Sequence, residues 1–196
     1  MEIKYYYMCY EQVIPLHICD ALLNVIKKSK PKLGTVAGGS VAKNVRKSHV
    51  SFDNAWWVYR WTHPYIRKAN KEAGWNFQWD YSEDYQLTEY RPGEYYKWHK
   101  DMFIEPYGDN NPKYLIGKTR KLSTVVALND AKEYEGGELE FYKHKMHTKN
   151  WHETCEGMTK KGSIIVFPSF IWHRVKPVKK GIRYSLTNWH VGNPFK

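Results

Sequence analysis

From Tyr85 onward the chain breaks into short segments, YQLTEY, TVVAL, ELEFY, SIIVF, WHRV and GIRYSLTNW, set apart by RPGE, NDAKEYEGG and similar turn residues. Segments of this length, punctuated by Gly, Pro, Asn and Asp, read as antiparallel strands, because a two-residue period puts one face on a core and the turn residues reverse the chain. So many of them in so short a span leave no room for the crossover helices of a parallel sheet. A sandwich or jelly roll remains.

Ahead of Tyr85 the period changes. Ile14, Ile18, Ala21, Leu22, Val25 and Ile26 mark one helical face between Ile14 and Lys28, with Pro15 in its first turn and Pro31 beyond its end. A second helical stretch runs from about Asn54 to Ala73, with Trp57, Trp61, Tyr65 and Ala69 one turn apart and Pro64 expected to break or kink it. The expected fold class is therefore α+β: one domain over residues 1–196, with a helical N-terminal part over about 1–84 packed on a jelly-roll core over about 85–191. A composition of 42% hydrophobic and 26% charged residues is that of a globular chain and excludes disordered and collagen-like classes. Cys9, Cys19 and Cys155 are an odd set without metal-type spacing, so a reducing compartment is expected and a disulfide framework is not. No apolar run suits a secretory leader or a membrane span, which points to a soluble cytoplasmic protein with no membrane partner.

The chemistry begins at His99-Lys100-Asp101. On an extended segment, residues two apart point the same way, so one imidazole and one carboxylate can converge. Alone the pair is as easily an exposed strand end. A second histidine, His173, follows an apolar strand, and an antiparallel sheet can bring it opposite the first pair. Two His and one carboxylate leave three open positions on an octahedral ion, the arrangement of non-haem Fe(II) oxygenases. Beyond His173, strand alternation places Arg183, Ser185, Thr187 and Trp189 on one face and Tyr184 and Leu186 on the other. If that face is interior, Arg183 and Ser185 form a fork for a carboxylate; if it is a sheet edge, Arg183 faces solvent.

The order of these motifs resembles the iron(II)- and 2-oxoglutarate-dependent dioxygenases, and within them the prolyl 4-hydroxylase-like branch. The resemblance rests on Tyr90-x-x-Gly93-x-x-Tyr96-x-x-His99-x-Asp101, on TRKLSTVVALN followed by EGGELEFY, and on the stretch from His173 through Pro177 and Gly181 to Arg183 and Trp189. It implies His99, Asp101 and His173 as iron ligands and Arg183 as the partner of the distal carboxylate of 2-oxoglutarate. Tyr90 would line that pocket, with Ser185 and Thr187 as further ligands. It also implies O2 as co-substrate and ascorbate as reductant. Arg183-Tyr184 stands where collagen-type members carry Lys-Trp, which brings the chain closer to oxygen-sensing and bacterial members. On the substrate side, Trp189 and Tyr96 are candidates, and Arg46 with Ser48 resembles a segment that approaches the site in bacterial and phage-borne relatives. Arg46 can equally belong to an exposed basic loop.

The activity implied is hydroxylation of a C–H bond, foremost in peptidyl proline, with release of succinate. A peptide or protein substrate is the first expectation and a free amino acid or other small molecule the second. The excess of 31 Lys+Arg over 20 Asp+Glu, a net charge of +11, keeps a nucleic-acid partner in view. Demethylases of nucleic acids on this fold carry a second Arg six positions after the first, where this chain has Trp189, so nucleic acid is not expected as the direct substrate. The loop over 102–118 has the length of a lid and is expected to cover the site, with a plain surface loop as the alternative. His144, His147 and His152 are irregularly spaced among lysines and read as a solvated hairpin rather than a second metal site.

Overall fold

The computed structural model describes residues 4–35, 42–143 and 151–195. In chain order the elements are β1 (Met8–Tyr10), α1 (Leu16–Lys28), β2 (Lys32–Leu33), β3 (Arg46–Lys47), β4 (His49–Asp53), α2 (Trp56–Glu72), β5 (Tyr81–Ser82), β6 (Tyr85–Tyr90), β7 (Tyr95–His99) and β8 (Thr119–Ala127). They continue as β9 (Tyr134–Gly136), β10 (Leu139–Tyr142), β11 (His152–Thr154), β12 (Ile164–Pro168), β13 (His173–Val175), β14 (Val178–Gly181) and β15 (Arg183–Gly192).

Among the described residues, an eight-stranded sheet of order β1-β12-β8-β15-β6-β4-β2, with β5 added to β15, faces a five-stranded sheet of order β11-β10-β13-β7-β3. All the pairings are antiparallel, and the result is the α+β jelly roll expected from the strand pattern. Alternation along the strands explains why both faces of the large sheet are buried. In β12, Ile164 packs with α1 and Val166 with α2, whereas Ile165 and Phe167 point between the sheets. In β15, Leu186 and Tyr184 join the α1 core, and the intervening positions face the inter-sheet space.

Three expectations are corrected. The region before Tyr85 is not purely helical, since β1, β2, β4 and β5 extend the large sheet and β3 extends the small one. Helix α2 runs through Pro64 without a break. Pro64 and Arg60, whose carbonyl loses its helical donor to the proline, both lie on the exposed side, where water can satisfy the orphaned group. The buried stripe of α2 is Val58, Thr62, Ile66 and Ala69, so the aromatic series Trp57, Trp61 and Tyr65 lies one residue off it and flanks the contact with the sheet.

Candidate metal centre and its cavity

His99 ends β7 and His173 begins β13; the two residues are directly paired in the small sheet. Asp101 lies two residues past the end of β7, in a bend rather than on a strand. The ligand atoms of His99, Asp101 and His173 lie within 4.8 Å of one another. His99 Nε2 is 3.7 Å from Asp101 Oδ1, and His173 Nε2 is 3.6 Å from Asp101 Oδ2.

Each ring is oriented by its own backbone. His99 Nδ1 donates to the Lys97 carbonyl at 2.8 Å, and His173 Nδ1 donates to the Ile171 carbonyl at 3.0 Å. Spending Nδ1 on a carbonyl fixes the tautomer and leaves the Nε2 lone pair facing the carboxylate, the preparation that metal-binding imidazoles need. Burial and the adjacent His173 push the His99 ring down to about 3, so it stays neutral and able to ligate. Burial alone would raise the Asp101 carboxyl, but His173, His99, Arg120 and a hydrogen bond from Ser123 outweigh it and hold the group below its ordinary value, ionised. Asp101 Oδ2 is buried and has no hydrogen-bond partner among the described residues. A buried ionised oxygen without a donor is costly. A divalent cation relieves that cost, and two imidazole nitrogens with one carboxylate suit Fe(II).

The cluster opens on a cavity of about 240 Å³ between the sheets. Arg183, Ser185, Thr187 and Trp189 line it, as strand parity predicted, and Tyr90, Tyr96 and Arg46 line it as well. Arg183 is 4% exposed, donates to Ser185 Oγ at 3.2 Å, stands 5.5 Å from the Tyr90 ring centre and has no ion pair among the described residues. Its guanidinium therefore faces the cavity with unspent donors, which favours an anion there. Burial is the main cause that raises the Tyr90 hydroxyl, keeping it a neutral donor. Arg46 is buried too, which rules out the exposed basic loop: it bonds Ser48 Oγ at 2.8 Å and the Thr35 carbonyl at 2.9 Å, and sits 4.8 Å from the Tyr96 ring centre.

Sequence reading missed Arg120, Gln86 and Phe103, which also line the cavity. Gln86 was within reach, two and four residues before Thr88 and Tyr90 on one strand face. Arg120 was not, because β8 carries an extra residue at Lys121: His190 pairs with Leu122 and Val191 with Arg120. That bulge turns Arg120 inward, where it pairs with Glu83 at 2.7 and 2.6 Å and stacks on Trp189 and Phe103 at 4.0 and 4.6 Å. A second bulge in β7 lets Tyr96 and His99, three apart, both face the cavity while Trp98 faces out. Of the 102–118 loop, Phe103 lines the cavity and the Tyr107 hydroxyl donates to Glu83 at 2.6 Å, while Ile104 is 98% exposed. His144 and His147 lie outside the described residues, and His152 is near Glu140 rather than at the cavity. Among the described residues, His99, Asp101 and His173 form the one cluster suited to a metal ion, and no helix is long and apolar enough to cross a membrane.

Residues 85–191 match the family model of the 2OG-Fe(II) oxygenase superfamily. The chain is 28% identical over 103 residues to a PKHD-type hydroxylase of Idiomarina loihiensis, covering 53% of this chain and 39% of that protein. It is 33% identical over 97 residues to one from Synechococcus sp. (strain CC9605), covering 50% and 36%. The chain thus spans about two fifths of the length of these curated relatives. Among solved structures, a Pseudomonas putida prolyl-4-hydroxylase superposes with a TM-score of 0.70 at 18% identity, covering 95% of this chain and 93% of that one. A viral collagen prolyl hydroxylase from Paramecium Bursaria Chlorella virus-1, solved with 2OG, gives 0.67 at 23% identity, covering 96% and 97%. A Trichoplax adhaerens prolyl hydroxylase, in complex with a hypoxia inducible factor peptide, gives 0.66 at 16%, covering 95% and 84%.

Proposed function

The chain belongs to the 2OG-Fe(II) oxygenase superfamily, and on that footing we propose that it is an Fe(II)- and 2-oxoglutarate-dependent dioxygenase that hydroxylates peptidyl proline. The observation that carries this reading is the meeting, in one cavity, of the His99–Asp101–His173 cluster with the unpaired Arg183 guanidinium. When bound, iron(II) with 2-oxoglutarate and O2 supplies the oxidising chemistry, in which 2-oxoglutarate loses CO2 to become succinate and the substrate carbon gains a hydroxyl.

The chain's own residues supply binding and orientation. His99 and His173 hold the iron through Nε2, and Asp101 holds it through its carboxylate. Arg183 and Ser185 take the distal carboxylate of 2-oxoglutarate, with Tyr90 and Thr187 completing that end of the pocket. Trp189, Tyr96 and Arg46 face the substrate. Proline is the preferred target because the solved relatives named above are prolyl hydroxylases, one of them holding a peptide. Ascorbate is the expected reductant.

A second reading has an observation of its own. Arg46 is a buried guanidinium with no acidic partner among the described residues, and it suits the carboxylate of a free amino acid as well as a peptide carbonyl. Succinate release with Fe(II), 2-oxoglutarate and ascorbate, measured against proline-rich peptides, free amino acids and oligonucleotides, separates the two. Peptide-stimulated succinate with hydroxyproline in the product supports the first, and stimulation by a free amino acid alone supports the second. No succinate above an iron-only control across the panel overturns both.

A further inference from the structure

The three proposed ligands are held by different means. His99 and His173 sit on paired strands, but Asp101 lies beyond the end of β7 with no ladder partner. What secures it is the short connection between β12 and β13. The Ser169 carbonyl accepts from both the Asp101 N–H at 3.0 Å and the Met102 N–H at 2.9 Å, and the Ser169 N–H is tied to the Lys121 carbonyl of β8 at 3.0 Å. Two residues later, the Ile171 carbonyl accepts from His173 Nδ1.

The side chains continue the pattern. Ser169 Oγ and Ser123 Oγ are 2.9 Å apart, and both residues are completely buried. A hydroxyl has one proton to give and two lone pairs to offer, so the pair closes with either serine as donor. Ser123 lies on β8 two residues from Lys121, so the side chain and the N–H of Ser169 are tied to the same strand. Neither serine lines the cavity, so neither touches substrate.

We propose that Ser123 and Ser169 are positioning residues of the metal centre. The main chain of Ser169 fixes the bend that carries Asp101, and the Ser169–Ser123 hydroxyl pair anchors Ser169 to β8. One connection, Ser169 to Ile171, thereby sets both Asp101 and His173 relative to each other. This rests on the reading of His99, Asp101 and His173 as iron ligands. Partners that orient a ligand from behind commonly change metal affinity by about 10- to 100-fold when removed.

The test is titration of the metal-free protein with Mn(II), a redox-quiet stand-in for Fe(II), with free Mn(II) read by its electron paramagnetic resonance signal. Ser123→Ala should raise the dissociation constant about tenfold or more, and Ser123→Thr, which keeps the hydroxyl, should return it to within about threefold of the unaltered protein. Folded Ser123→Ala binding within about twofold of the unaltered protein, or Ser123→Thr binding as weakly as Ser123→Ala, overturns the proposal. If Ser123→Ala does not fold, Ser169→Ala with Ser169→Thr as its rescue decides by the same criterion. Absence of Mn(II) binding by the unaltered protein, with and without 2-oxoglutarate, overturns the metal reading itself. That outcome is distinct from normal binding by every variant, which removes only the positioning role.

Discussion

Histidines lie on both sides of the large sheet, His99 and His173 on the small sheet that faces its inner side and His190 and His63 on its outer side, and only the inner side holds a chemically open site. On the inner side, His99 and His173 each commit Nδ1 to a backbone carbonyl and leave Nε2 against a carboxylate whose Oδ2 has no donor among the described residues. On the outer side, toward α2, His190 is fully buried, with Nδ1 2.8 Å from Ser82 Oγ and Nε2 3.0 Å from Thr124 Oγ1. Ser82 is shared in turn with His63 Nε2 at 3.0 Å. Burial lowers His99 on the inner side and His63 and His190 on the outer, with a nearby ring or Arg67 adding to it. Burial of an imidazole therefore does not mark a ligand. The difference is hydrogen-bond closure: His190 has no lone pair left to give, whereas the inner pair has one each, aimed at an anion.

The sharpest way to break this comparison is His173→Ala against His190→Ala. The first should abolish Mn(II) binding, a loss of more than about 100-fold, whereas the second should leave the dissociation constant within about threefold. Equal losses would mean that the outer histidine supports the site. Next comes Arg183→Ala, which removes a charge-assisted contact of about 2 kcal/mol and should raise the half-saturating 2-oxoglutarate concentration more than about tenfold. An unchanged 2-oxoglutarate requirement would remove Arg183 from that role.

A pH experiment reads the outer side. Because burial and His63 hold His190 well below the ordinary 6.5, the unfolded chain binds a proton that the folded chain refuses as the pH falls below about 6.5. Metal-free stability should thus be level above that value and fall below it, by about 1.4 kcal/mol per pH unit for each such ring. Urea midpoints measured from pH 8 to 5 should show a shallower decline in His190→Gln; an unaltered slope would mean that His190 takes its proton in the folded state. The smallest effect is expected for Trp189→Phe. The indole Nε1 of Trp189 is buried at the cavity without a partner among the described residues, so its removal should leave stability within about 0.5 kcal/mol while weakening substrate use. A large stability loss would show that the Arg120 stack on that ring, not substrate contact, is its main work.

Much of the site was legible because alternation is a local rule. Arg183, Ser185, Thr187 and Trp189 were assigned to one face from their spacing, and all four line the cavity. The same rule fails where a strand carries one extra residue. Lys121 and Leu122 share the outer side of β8, with Lys121 against Phe195, and only this places Arg120 inside. No glycine or proline marks either bulge, so neither was visible before the strands were paired.

The sequence by itself singled out His99, Asp101, His173 and Arg183 and, through the two-residue period, determined which residues of β15 share a face with Arg183. It also determined the class of fold, since short strands with frequent turns admit few alternatives. Only the tertiary structure decided how those side chains meet. The bulges, the burial of Arg46 and Arg183 without acidic partners among the described residues, and the hydrogen bonds from the Asp101 bend to Ser169 all come from contacts between segments remote in the chain. Such contacts leave no period behind them, because each is fixed by the register of a neighbouring strand rather than by the residues on either side.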